Sequence, residues 1–218
     1  MSILGSLSAK PWLESGSGEF PASGRLRIPT GRLGLIIFLV VVSVLFLLLS
    51  AAYVMRMGFG DWVPLDEPAI LWANTLALVL SSAAFQWASV GVRRGCTVNV
   101  RAGLYAGGLF AAFFLIGQLV AWKQLDGLGY YVATNPANTF FYLLSALHGL
   151  HLLGGLAAWG RAAGKLRHTG IAPGLRPEIE LCALYWHFLL VLWLGLFGLL
   201  LADNGGAGAL LQPTPHMH

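Results

Sequence analysis

The chain has 218 residues, 57% of them hydrophobic and only 10% charged, far from the roughly one-quarter charged composition of soluble domains. With a mean hydropathy of +0.72, this composition excludes an ordinary soluble enzyme or a nucleic-acid-binding domain, to which the formal net charge of +4 would otherwise point. The apolar residues fall in runs of about twenty, the length a helix needs to cross about 30 Å of hydrocarbon, and they predict an all-α, polytopic membrane protein.

In chain order, residues 1–32 read as a cytoplasmic tail, because they lack a basic segment followed by an apolar core and a cleavage site. Five spans follow in one bundle (33–202), at about 33–55, 69–90, 102–122, 138–160 and 181–202, and residues 203–218 read as a periplasmic tail. The second span carries Asn74, Thr75, Ser81, Ser82 and Gln86 among Leu, Ala and Trp, a pattern suited to close helix packing. In the third, Gly107, Gly108 and Gly117 are candidate close-approach points. Turn formers punctuate the loops, among them Gly58, Gly60, Pro64, Gly127, Gly129, Pro136, Pro173 and Pro177.

Positive charge orients the bundle. Arg25, Arg27, Arg32, Arg93, Arg94, Arg101, Arg161, Lys165, Arg167 and Arg176 fall on one side, against Arg56 and Lys123 on the other. The positive-inside rule therefore places the N-terminus in the cytoplasm and the C-terminus outside, as five spans require. Asp61, Asp66, Glu67 and Asp126 lie in the outer loops with Trp62, Trp122, Tyr130 and Tyr131, aromatics that favour the interface. Cys96 and Cys182 both fall on the cytoplasmic side, an unfavourable setting for a disulfide.

The fourth span holds the residues that need an explanation. Asn138, Phe141, Ser145, His148, Leu152, Gly155 and Trp159 recur at steps of three and four, which draws one stripe along a helix, and His151 lies beside it. Polar groups inside a span are costly without partners, so this helix is expected at the bundle's interior, with its histidines bonding across helices. The sharper alternative is ligation, with His151 and His187 as the axial pair of a b-type haem. Glu180, at the start of the fifth span, is either a proton-relay carboxylate or a membrane-edge acid paired with a loop arginine. Trp186 and Trp193 read as packing groups, and the terminal His216 and His218 as solvated. No phosphate-binding loop, nucleophile elbow or zinc-protease motif is present.

The segment FFYLLSALHGLHLLGG, followed by Glu180 and the run Tyr185, Trp186, His187, Phe188 with Trp193 beyond it, resembles subunit III of the haem-copper oxygen reductases (cytochrome c and quinol oxidases). The first two spans resemble the same family, so the likeness covers about residues 31–200, in the short five-helix bacterial form. It implies a noncatalytic subunit of the bacterial cytoplasmic membrane that packs chiefly on subunit I, where haem and copper reside. It further implies a chain that binds no redox cofactor itself, holds phospholipid and supports oxygen reduction and proton uptake in aerobic electron transport. The family-motif and helix-packing residues are then Asn74, Gln86, His148, His151, Glu180, Tyr185, Trp186, His187 and Trp193, with Arg101 and Arg161 as lipid-headgroup contacts. Val42 and Leu190 stand where many family members carry acidic residues, which points also to an accessory branch such as that associated with nitric oxide reductase.

Overall fold

The computed structural model describes residues 29–63, 65, 68–131, 135–170 and 174–203, the side chain of Thr169 excepted. Sequence expectations for Arg25, Arg27, Pro64, Asp66, Glu67, Pro173, His216 and His218 lie outside the described residues. Five helices make up the fold: α1 (Thr30–Met57), α2 (Ile70–Arg93), α3 (Thr97–Gly127), α4 (Pro136–Thr169) and α5 (Leu175–Ala202). All five are long and apolar enough to cross a membrane, and no strand occurs among the described residues.

At 1.5 Å of rise per residue the helices run roughly 36 to 51 Å, beyond the hydrocarbon thickness. Their ends therefore extend past the apolar runs. α3 begins five residues before the predicted span and ends five after it, and α4 continues nine residues beyond 160. Apolarity marks the depth of the bilayer, whereas the backbone stays helical until local chemistry stops it. α4 starts where the Asn135 side chain caps the Ala137 amide at 3.1 Å with Pro136 in the first turn. It ends at Gly170, whose φ of 66° is strained for other residues.

Only Arg94, Gly95 and Cys96 separate α2 from α3, so the two form a tight antiparallel hairpin. Their contact depends on the absence of side chains. A Cβ at Gly103 would lie 2.6 Å from the Ala84 carbonyl oxygen and 2.7 Å from the Ala88 nitrogen, and at Gly107 it would meet the Phe85 ring at 2.7 Å. The Ser81 hydroxyl donates across this seam to the Gly107 carbonyl at 2.8 Å.

One large core joins α2 to α5 through Leu71, Leu78, Phe85, Phe114, Leu152 and Trp186. A smaller one, built of Val42, Phe46, Tyr53, Met57, Trp62, Ala137 and Leu144, seats α1 on α4. The first helix is peripheral, with only 11% of its most apolar window buried against 50% for α2. Its outward residues, Leu47 and Leu48 among them, are exposed, as suits a surface solvated by hydrocarbon.

Candidate functional site

His187 on α5 is bound on both ring nitrogens by α2. The Ser82 hydroxyl donates to Nδ1 at 2.5 Å, and Nε2 donates to the Gln86 amide oxygen at 3.0 Å. Ser82 and Gln86 are four residues apart and so stack on one helix face. The same seam is closed about two turns farther along by Trp193, whose indole donates to Thr75 at 3.0 Å. Between α2 and α3, Asn74 donates to Gln118 at 3.2 Å, with both groups buried.

The α4 stripe faces inward: every member from Asn138 to Gly155 is buried and Trp159 is half-buried. Ser145 accepts from the Trp122 indole at 3.1 Å and donates to Phe141 at 2.6 Å, and Trp159 donates to the Leu104 carbonyl at 2.7 Å. Trp122 is thereby a link between α3 and α4, not simply the belt aromatic expected from its position.

His148 departs from expectation. It is fully buried between Phe114 and Trp193, at ring-centroid distances of 5.6 and 5.3 Å, yet neither ring nitrogen has a hydrogen-bond partner among the described residues. It packs helices together without bonding them. His151 donates from Nδ1 to the Leu147 carbonyl of its own helix at 2.7 Å and presents its ring to Phe46 of α1 at 5.7 Å.

The axial pair left open by the sequence is not assembled. His151 faces α1 and His187 faces α2, because Tyr185, which donates to the His151 carbonyl at 2.9 Å, lies roughly 200° around α5 from His187. Among the described residues no three of His, Cys, Asp and Glu converge on one point.

At the basic end of the bundle Glu180 accepts from Arg93 at 3.0 Å and from Arg176 at 3.2 Å. Lys165 pairs with Glu178, a bridge from α4 to α5 that sequence reasoning missed. It borders a cleft of about 530 Å³ between α1, α4 and α5, lined by Arg161, Phe38, Gly155, Cys182, Tyr185 and Trp186. Arg101 is exposed on α3 and is not part of this lining. Trp186, wholly buried, packs on Phe85 at 4.3 Å. Val42 lies in the smaller core and Leu190 packs against the larger, so apolar contacts occupy both positions.

The opposite end holds a constellation that the sequence did not reveal. Asp203, assigned to a tail by the apolar run that stops before it, is 2% exposed. Its carboxylate accepts from the Tyr53 hydroxyl at 2.9 Å and from the Trp62 indole at 3.1 and 3.2 Å. Beyond this clamp, Asn135 donates to the Val63 carbonyl at 2.5 Å, tying the first loop to the start of α4.

The arrangement is one of polar side chains spent on neighbouring helices, and known proteins share its sequence pattern. The family model described as cytochrome c oxidase subunit III matches residues 26–201. The cytochrome c oxidase subunit 3 of Thermostichus vulcanus is 32% identical over 77% of this chain and 85% of its own length. A probable cytochrome c oxidase subunit 3 of Nocardia farcinica is 29% identical over 63% of this chain and 70% of its own length. The cytochrome bo(3) ubiquinol oxidase subunit 3 of Pseudomonas putida is 28% identical, covering 76% and 82%. With four-fifths of its length matched by the family model and a relative above 30% identity covered over 85% of its length, the chain belongs to the cytochrome c oxidase subunit III family.

Proposed function

We propose that the chain is the noncatalytic third subunit of a bacterial respiratory haem-copper oxidase. In this reading it packs on the catalytic subunit in the cytoplasmic membrane, holds phospholipid and supports oxygen reduction and proton uptake there. The observation that carries it is the ring of His187, engaged at both nitrogens by Ser82 and Gln86. The histidine of the YWHF run thereby fastens α5 to α2 and keeps no free nitrogen for a metal. Haem and copper belong to the partner subunits.

Charge supports the orientation. Arg32, Arg93 and Gly174, from the start of α1, the end of α2 and the start of α5, border a single cleft. The basic residues thus gather at one end, which the positive-inside rule assigns to the cytoplasm. The lipid role rests on the α1–α4–α5 cleft, an apolar slot with Arg161 and Lys165 at its basic end, suited to acyl chains below a phosphate.

Solubilising the membrane and purifying through a tag on this chain tests the proposal. A haem-copper core should copurify, and the subunit, once separated, should have no Soret absorbance. A stoichiometric haem in the separated chain, or purification without any haem-copper partner, would refute it.

A further inference from the structure

Gln86 is an amide exposed within a membrane span, whereas the other amides of the spans, Asn74, Gln118 and Asn138, are buried. Its carbonyl oxygen accepts from His187 at 3.0 Å, and its two amide N–H groups have no acceptor among the described residues. A donor left bare against hydrocarbon costs free energy. Whatever covers this face must therefore bring an acceptor.

Depth decides its kind. Gln86 lies roughly 10 Å along the axis from Arg93, the last residue of α2. The helix has 24 residues and so runs about 36 Å, which sets the amide roughly 7 Å inside a 30 Å hydrocarbon layer centred on it. The phosphate and ester groups of a lipid stay at the boundary, and acyl chains carry no acceptor. Electrostatic complementarity selects a protein side chain instead.

The surface around the amide has the form of a helix seat. Residues i, i+3, i+4 and i+7 on one helix face frame a hole that takes one side chain of a neighbouring helix. Leu76, Val79, Leu80 and Ala83, all exposed, frame one such hole, and Ala83, Gln86, Trp87 and Val90 frame the next. The small side chain of Ala83 is common to both and deepens both. On α1 the outward surface is apolar and bulky, Leu47 and Leu48 among it, with no amide to satisfy.

We propose that the outward face of α2 seats a transmembrane helix of the catalytic subunit, which places a side chain against Ala83 and accepts the Gln86 N–H through an oxygen. A second copy of this chain does not fit the role. A two-fold axis along the bilayer normal would set Gln86 against Gln86, donor facing donor, with each carbonyl oxygen already engaged by His187. The inference rests on the reading of the chain as an oxidase subunit and adds to it the face of contact and the chemistry the partner presents there.

The test uses the intact complex in its own membrane. Benzoylphenylalanine placed at Leu76 or Leu80 should cross-link on irradiation to one transmembrane peptide of the haem-copper catalytic chain, and at Leu48 should give about tenfold less of that product. Ala83→Phe fills the wall between the two holes. At equal membrane levels of the tagged chain it should lower the haem recovered by about tenfold, the overpacking of one contact. Ala52→Phe, on the exposed surface of α1, should leave recovery unchanged, because fluid acyl chains accommodate the ring. Failure of the parent chain to bring down any haem-copper core would defeat the proposed function itself. With the parent complex intact, full haem recovery in Ala83→Phe would overturn this inference alone, as would cross-links from α2 only to lipid, to a second copy of this chain or to a noncatalytic subunit.

Discussion

Gly103→Ala tests whether the α2–α3 hairpin is set by backbone approach. The added methyl would lie 2.6 Å from the Ala84 carbonyl oxygen, about 0.8 Å inside ordinary contact distance. No flexible side chain is there to yield, since the nearest atoms belong to the backbone of α2. The helices must part, at an overpacking cost of about 1–3 kcal/mol. The same displacement stretches the 2.8 Å Ser81–Gly107 bond beyond bonding distance, with a loss of about 1 kcal/mol. Alanine regains about 1 kcal/mol of helix propensity, so the net destabilisation should be about 2 kcal/mol. Denaturant titration of the solubilised complex, followed by tryptophan fluorescence, measures it. Gly160→Ala is the control, because its methyl would meet nothing within 4 Å and should be neutral or slightly stabilising. A Gly103→Ala protein as stable as its parent would refute the reasoning.

The other contacts make separate claims. His187→Leu strands the buried Ser82 hydroxyl and should cost about 2 kcal/mol; in a double-mutant cycle Ser82→Ala should recover about half of this, and strict additivity would show that the pair does not interact. Asp203→Leu removes the carboxylate that accepts from the Tyr53 hydroxyl and the Trp62 indole and should cost about 3 kcal/mol, twice the cost of Trp62→Phe; thermal denaturation with no loss in either variant would exclude a clamp. Asp61 lies outside the helices, and the hydrogen bond from Arg56 holds its carboxyl below the ordinary value of 3.8. Its contribution is therefore complete at neutral pH and fades only as pH falls below that value. Hydrogen exchange at residues 58–63 should differ between parent and Asp61→Asn at pH 7, and the two should converge in acid.

The five helices were legible because hydrocarbon imposes a length and a composition on each segment independently, so no tertiary knowledge is needed. The α4 stripe was legible for a related reason: steps of three and four fix a face, and the polarity of Asn138, Ser145 and His148 implies that the face is turned inward. Contacts between distant segments were not legible in the same way. Asp203 follows the last apolar run and so reads as the start of a tail, and only the fold reveals Tyr53, 150 residues earlier, as its donor. Ser82 and Gln86 were visible among the polar residues of the second span, but the partner that makes them a site, His187, sits about a hundred residues away. The family resemblance marked His187 as important without saying what it touches.

His148 shows where polarity alone misleads. From the sequence, an imidazole in a span is expected to bond across helices, and its replacement by leucine to weaken the bundle. In the structure the ring makes only face and edge contacts with Phe114 and Trp193, and a neutral imidazole buried in this way strands one donor and one acceptor. Each unpaired group costs about 1–3 kcal/mol, whereas an apolar side chain in the same space forfeits some ring packing, about 1 kcal/mol. His148→Leu should therefore raise stability by about 1 kcal/mol or more, the reverse of the effect predicted for His187→Leu. If it instead destabilises the complex by 2 kcal/mol or more and His148→Gln restores the loss, the imidazole makes a hydrogen bond within the core. The claim that His148 acts by shape alone would then fall.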